Sequence, residues 1–357
     1  MGVKIIAEAG SNHNGNIDLA YMLVDEACKA RADYVKFQII NPDSLYVPYY
    51  WDGINKVENI VHKRRSQEAL TYDEWRKVQK FARDKGIEFT ASVFDKTGVD
   101  FLVEIKVPFI KLASSDLNNV ELIEYIASKD VPLIISTGMS SLEEIKKSVN
   151  VYIDNGRKEL IHVLHCVSIY PCKLEETSLN RIVELQSILH CPIGFSDHTL
   201  NSKSACVATS MGVSFIEKHF TIDKNLDGFD HKYASSPSEL KEYIEDIRAI
   251  EKSIMNKIYS QSAREEVTKV RARRGLYLNK PLKKGDIITV EDLIALRPSN
   301  KFSPLDKEIM VGLELGEDVK EFQSMTITDN KVYADSDPTW KNANSYWIDE
   351  MKNKRML

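Results

Sequence analysis

Eight short runs rich in β-branched residues, separated by longer stretches of helical periodicity, constrain this chain more than any other feature. The runs fall at residues 3–9, 34–39, 88–93, 109–113, 133–136, 160–166, 193–196 and 214–217. Amphipathic stretches such as 19–30, 72–85, 120–129, 142–155 and 180–189 lie between them, and a last one spans 238–254. Thr71 with Asp73, and Ser141 with Glu143 and Glu144, are helix-start signals. Strand–helix alternation of this length predicts a parallel sheet, and eight units predict a closed (β/α)8 TIM barrel. A doubly wound open sheet is the rival. It calls for a glycine-rich GxGxxG first turn, and Gly10-Ser-Asn-His-Asn-Gly15 does not match that pattern.

The chain has 357 residues, which suits a large barrel plus a small appendage. From Arg271 the texture changes to short strand-like pieces at 276–278, 287–290, 294–296, 310–313 and 325–328, separated by turns such as Lys283-Lys-Gly-Asp286. The expected organisation is a barrel over 1–260, a linker over 261–275, a small β-rich domain over 276–331 and a C-terminal extension over 332–357. The extension is polar, with isolated Trp340, Tyr346 and Trp347, and reads as a frayed tail or a docking segment.

Hydrophobic residues at 43% and a formal charge of −5 point to a packed core and away from nucleic acid or an anionic membrane surface. No stretch reaches the roughly 18 apolar residues of a membrane span. The basic runs His62-Lys-Arg-Arg65 and Arg271-Ala-Arg-Arg274 read as solvated faces. Five cysteines without a CxxC pair read as reduced, mostly buried thiols, the pattern of a cytoplasmic protein.

Barrel enzymes place their chemistry at the C-terminal ends of the strands. Here those ends are polar: Glu8; Lys36 and Gln38; Ser92; Lys111, Ser114 and Asp116; Ser136; Ser168 and Tyr170; Ser196 and His198; Glu217 and His219; then Asp230. Lys36 and Lys111 interrupt apolar runs, where an unpaired lysine is costly to bury. Either each is capped by a carboxylate such as Glu8 or Glu217, or both face a bound anion with several oxygens, such as a phosphate beside a carboxylate. The absence of a Walker-type loop argues against a nucleoside triphosphate. His198 and His219 end successive strands. They are either a divalent-metal pair or hydrogen-bonded loop residues.

Taken in order, the motifs resemble the sialic acid synthase family, the phosphoenolpyruvate-dependent nonulosonate synthases. They are Ala7-Glu-Ala-Gly-Ser-Asn-His-Asn-Gly15, Val35-Lys-Phe-Gln38, Lys111-Leu-Ala-Ser-Ser115, Ser136-Thr-Gly-Met139, Leu164-His-Cys166, Gly194-Phe-Ser-Asp-His-Thr199, Glu217-Lys-His-Phe220 and Gly228-Phe-Asp-His231. The C-terminal part resembles the family's antifreeze-like (SAF) domain, with Leu296-Arg-Pro298 at its arginine position. The resemblance implies Mn2+ or Mg2+ on His198 and His219. It implies phosphoenolpyruvate held by Lys36, Ser92, Lys111, Ser114, Ser136, Ser168 and Ser196. It also implies an N-acetylhexosamine acceptor met by Gln38, Asp116, Tyr170, Asp230 and, from the partner chain, Arg297. Glu8, Lys36, Lys111, Glu217 and Asp230 become the catalytic candidates, and a domain-swapped homodimer the expected assembly. Phe229 stands where relatives have proline, which predicts a looser loop around Asp230. The rivals are another phosphoenolpyruvate aldol synthase, of the Kdo-8-phosphate or DAHP type, and a non-catalytic sugar-phosphate-binding barrel.

Overall fold

The computed structural model describes residues 2–155, 158–254, 262–336 and 352. The chain divides into two compact units, residues 1–257 and 258–357. In the first, eight parallel strands close into a barrel: Lys4–Gly10, Tyr34–Ile39, Glu88–Val93, Ile110–Leu112, Leu133–Ser136, Ile161–Cys166, Ile193–Asp197 and Phe215–His219, which pairs back onto the first. The fold is a (β/α)8 barrel, as the alternation predicts, with strand ends shifted by a residue or two.

Period-two alternation decides what each strand turns inward. The inward layer at the N-terminal end is apolar, a plug of Ile6, Phe109, Ile134, Leu164 and Phe215 with Tyr34 against it. Tyr34 and Phe109 meet edge to face with ring centroids 5.0 Å apart. Gly194 is required here. A Cβ would sit 2.4 Å from Leu164 Cδ2 and 2.8 Å from the Phe215 carbonyl oxygen. Two residues further along the same strands stand Glu8, Lys36, Lys111, Ser136, Ser196 and Glu217. The outward residues, including Ile5, Ala7, Val35, Phe37 and Ile135, join the helices in the main core.

The helices begin where their caps dictate. Thr71 and Glu74 form a reciprocal capping box ahead of Tyr72–Lys85, and Ser141 and Glu144 do the same ahead of Leu142–Asp154. Glu74, rather than Asp73, closes the first of these. Helices Ile60–Glu68, Lys96–Glu104 and Lys203–Ser210, and a hairpin of Tyr49–Asp52 with Asn55–Glu58, lie outside the stretches singled out by periodicity. The last helix of the unit, Pro237–Ile254, holds the first strand through Arg248, which donates to the Val3 carbonyl at 2.7 Å and to Asp33 at 2.8 Å.

In the second unit, helix Ala263–Ala272 is capped by Ser262 and precedes an antiparallel pair, Gly275–Leu278 with Leu293–Leu296. A three-stranded sheet joins Glu314–Leu315, Lys331–Ala334 and Met325–Thr328. Leu278, Ile288, Met310, Leu315 and Val332 form its core. Residues 310–313 are not a strand. Met310 ends helix Lys307–Met310 and Gly312 turns the chain at a φ of +88°. Residues 287–290 contribute one isolated bridge, Ile287 to Glu314, before a 3-10 turn. Trp340, Tyr346 and Trp347 lie outside the described residues. No helix among the described residues is long and apolar enough to cross a membrane. All five cysteines are free, but only Cys166 and Cys172 are buried, so the thiols are not mostly buried as expected; Cys28, Cys191 and Cys206 lie part-way to the surface.

Trp75, 2% exposed, packs against His13, Phe37 and Phe89 between helix and barrel. Trp75→Ala is expected to cost the barrel about 3–5 kcal/mol, read as a lower urea midpoint of its unfolding transition.

Candidate active site

The strand ends open into a cavity of about 980 Å³. Its wall includes the acids Glu8, Glu217 and Asp230, the cations Lys36 and Lys111, the histidines His198 and His219, and Gln38 and Tyr170. Five serines, Ser92, Ser114, Ser136, Ser168 and Ser196, complete the set that the sequence singles out there. Gly138 lets two of them converge, since a Cβ would lie 2.1 Å from Ser168 Oγ and 2.9 Å from Ser114 Oγ.

Strand register brings the charges together. Glu8 pairs with Lys36, Glu217 with Ser196, and Ser92 with Lys111. Lys36 Nζ stands 2.5 Å from Glu8 Oε2 and 3.6 Å from Glu217 Oε2, and donates to Ser92 Oγ at 2.9 Å. Lys111 Nζ donates to Ser136 Oγ at 2.7 Å and lies 4.0 Å from Glu217 Oε1. Both lysines are therefore capped by carboxylates, as the first reading has it, and both also line the cavity.

All four groups are buried, and burial is the largest influence on each. It raises the Glu8 carboxyl, helped by Glu217 and opposed by Lys36. Burial would raise Glu217 as well, but Lys111 and Lys36 outweigh it and hold that carboxyl low. Burial lowers the Lys111 ammonium, and the like charge of Lys36 adds to the effect. Lys36 ends above its usual value because Glu217 and Glu8 overcome its burial. Glu217 is thus the fixed anion of the cluster and Glu8 the carboxyl nearest to holding a proton.

His198 and His219 stand with ring centroids 5.4 Å apart. His198 Nδ1 lies 2.7 Å from the Val167 carbonyl oxygen, which as a donor contact leaves Nε2 with the lone pair. His219 Nδ1 is buried without a hydrogen-bond partner, 3.6 Å from Asp230 Oδ2. Burial lowers the His219 pKa to about 4, so the ring is neutral, as a ligand must be. Burial lowers His198 too, but Cys166, the Val167 carbonyl and Glu217 outweigh it and hold that ring above its usual value. The two rings and the Asp230 carboxylate are of the donor types a divalent ion takes. Among the described residues, no group of three or more His, Cys, Asp or Glu is placed to hold a metal ion, so the protein's donors here are the two histidines.

One barrel candidate lies elsewhere. Asp116 does not line the cavity; its carboxylate accepts from Ser115 Oγ at 2.8 Å and Asn119 Nδ2 at 3.4 Å. Arg297 is an exposed residue of the second unit, directly after strand Leu293–Leu296.

Several wall residues escaped the sequence reading. Arg65 comes from the run expected to be a solvated face, yet it is 9% exposed and turned to the cavity. Its guanidinium carbon sits 3.8 Å from the centre of the Phe229 ring. Phe229 stands in the loop expected to loosen without its proline, and its ring is the surface on which that guanidinium lies. Tyr233 donates to Asp230 Oδ1, and Tyr170 stacks on His198 with centroids 4.1 Å apart. The usable signal for Arg65 was its position in the long second βα segment, since such segments supply the walls of barrel sites.

Fold and site together define a (β/α)8 barrel enzyme whose mouth pairs a hydroxyl-ringed cation cluster with a two-histidine donor set. The comparisons with known proteins agree, for the model of the NeuB family matches residues 23–259, and the chain belongs to that family. It is 36% identical to N,N'-diacetyllegionaminic acid synthase of Legionella pneumophila, over 87% of this chain and 90% of that protein. It is 30% identical to human N-acetylneuraminate-9-phosphate synthase, over 89% and 91%. The crystal structure of N-acetylneuraminic acid (sialic acid) synthetase from Leptospira borgpetersenii aligns with a TM-score of 0.67 at 32% identity. That alignment covers 74% of this chain and 90% of the other.

The raised Glu8 carboxyl has a signed consequence for stability. A carboxyl whose folded pKa lies above its unfolded value stabilises the fold below the unfolded value and loses that contribution as pH rises through the folded one. Glu8→Gln removes this dependence. The stability of the parent relative to Glu8→Gln is expected to fall as pH rises from about 4.5 toward neutrality, measured by urea titrations across that window. A difference that stays flat would mean that Glu8 is not raised.

Proposed function

We propose that this protein condenses phosphoenolpyruvate with the open-chain aldehyde of an N-acetylmannosamine-type sugar, releasing phosphate by C–O cleavage to give a nonulosonic acid. One observation carries the reading: Lys36 and Lys111, each hydrogen-bonded to a serine hydroxyl, face one cavity that also holds both histidines. Two ammonium groups among serine hydroxyls match a ligand with a phosphate next to a carboxylate. The family and the names of its members support the same reaction. A non-catalytic barrel has no use for a buried carboxyl poised to carry a proton, and the relationship to the sialic acid synthases spans far more than the shared barrel.

In the proposed reaction C3 of phosphoenolpyruvate forms a bond to the aldehyde carbon. Water adds at C2, and the tetrahedral adduct expels phosphate. Lys36 and Lys111 offset the charge of the phosphate and carboxylate. Ser92, Ser114, Ser136, Ser168 and Ser196 supply directional donors around them. Glu217 fixes both lysines. Glu8 is the group we assign to proton movement, and Asp230, oriented by Tyr233, grips sugar hydroxyls with Gln38 and Tyr170. His198 and His219 would hold Mn2+ or Mg2+, which when bound supplies a Lewis acid that polarises the aldehyde oxygen. The second unit is read as an antifreeze-like domain that brings Arg297 to a partner chain's sugar in a homodimer. The surroundings are read as cytoplasmic, in keeping with five free thiols.

The direct test mixes the protein with phosphoenolpyruvate labelled with heavy oxygen at the bridging position, Mn2+ and N-acetylmannosamine or di-acetamido acceptors. The label is expected in released phosphate, with the nine-carbon acid seen by mass spectrometry. Label retained in the sugar acid would refute C–O cleavage. Lys111→Met is expected to lower turnover on the order of 10²–10³-fold and to raise the phosphoenolpyruvate requirement. His219→Ala should keep its circular dichroism spectrum and lose Mn2+-dependent turnover. Mixed dimers of Lys111→Met and Arg297→Ala chains should regain part of the activity if sites are shared between chains.

A further inference from the structure

The residues beside the two histidines point the other way. Strand alternation turns Ser196 and Glu217 into the cavity and their successors, Asp197 and Lys218, outward, where those two pair in register. Neither lines the cavity, and their side chains are only 0% and 3% exposed. Asp197 Oδ1 accepts from the Thr199 amide at 2.9 Å, so this carboxylate closes a turn around His198. Asp197 Oδ2 accepts from Ser204 Oγ at 3.0 Å, on helix Lys203–Ser210, and from Tyr243 Oη at 2.8 Å, on helix Pro237–Ile254. Lys218 Nζ donates to the Thr199 carbonyl and lies 3.7 Å from Asp197 Oδ2.

A buried ion pair gives little net stability, because desolvation offsets most of the attraction and apolar residues of like size fill a core as well. What this pair supplies is direction. Its ties land on the two neighbours of His198, Asp197 and Thr199, and start from the residue before His219. The turn that carries one histidine is thereby fixed to the strand that carries the other, and not only to the helices outside. On the cavity side His198 Nδ1 meets the Val167 carbonyl at 2.7 Å, and the His198 carbonyl accepts from the Cys172 amide at 2.9 Å. Metal donors must be placed to within about 0.2 Å. A two-histidine set has no further protein ligand to correct a misplaced ring.

We infer that Asp197, Lys218 and Tyr243 are positioning residues that set His198 against His219 from behind the barrel wall and so tune the affinity of the pair for a divalent ion. The metal part rests on the reading of the histidines given above; the ring positioning does not.

The test titrates Mn2+ alone into the full-length protein and reads the free ion by electron paramagnetic resonance. Lys218→Met is expected to weaken binding by about 10–100-fold, the usual effect of removing a group that orients a ligand. Tyr243→Phe keeps the ring, removes one donor to Asp197, and is expected to weaken binding about fivefold, the worth of one hydrogen bond. It carries the test if Lys218→Met does not fold. Lys218→Gln can still donate to the Thr199 carbonyl and should recover part of the loss. Arg248→Met breaks a partly buried ion pair with Glu251 that ties down the start of the first strand. It is expected to lower the urea midpoint and leave Mn2+ affinity unchanged. Unchanged affinity in Lys218→Met and Tyr243→Phe overturns the inference. An equal loss in Arg248→Met overturns it too, since the effect is then a general loosening.

Should the parent bind no Mn2+, the metal reading of the histidines fails and the ring itself decides. In metal-free protein labelled with 15N-histidine, the His198 Nδ1 proton is expected to exchange slowly with water in the parent and in Arg248→Met. In Lys218→Met and Tyr243→Phe it should exchange faster. Equal exchange in all four proteins refutes the positioning role.

Discussion

Four buried charges depend on one another at the mouth of this barrel. Lys36, Lys111, Glu8 and Glu217 are each almost completely shielded from water, and none could stay ionised there alone. Their mutual distances come from strand register, so the barrel's closure and the site's electrostatics are the same geometric fact. The serine hydroxyls complete the arrangement by giving each ammonium a directional partner. Below them the aromatic and aliphatic plug seals the N-terminal end, and polarity is confined to the side from which a ligand enters.

The asymmetry between the two carboxylates is what makes the cluster useful for chemistry. Glu217 lies between both lysines and is held as an anion, while Glu8 touches one lysine and feels Glu217. Two like groups are thereby driven apart in acidity by position alone, the arrangement that lets one carboxyl fix charge while the other exchanges a proton. His219, a neutral ring, follows Glu217 on the same strand and pairs in register with Glu8, so the histidines and the carboxyls sit on neighbouring strands of one cavity wall.

Much of this was legible before any coordinates. The strands declared themselves because an apolar run of six residues between amphipathic stretches leaves little alternative, and Lys36 and Lys111 stood out because a lysine inside such a run demands partners. Arg65 did not, since a run of four basic or imidazole residues on a polar helix carries no mark of which side chain turns inward; that depends on the helix lying across the barrel mouth with Phe229 opposite. Asp116 shows the converse. A strand-end position brings a residue near the cavity, but the side chain's direction is set by local partners, here Ser115 and Asn119. In the second unit, residues 310–313 are too short for their pattern to separate strand from helix, and Gly312 decided the matter by turning the chain.

Within the buried cluster, two lysines and two glutamates set charges of opposite sign against each other. A phosphate that also bears a carboxylate brings an excess of negative charge to two ammonium groups that already have carboxylate neighbours. Glu8, whose carboxyl is raised by burial, is the group in the cluster best placed to take up a proton as that charge arrives. Association is then linked to buffer ionisation as well as to ionic strength, and its apparent heat will vary with the buffer chosen.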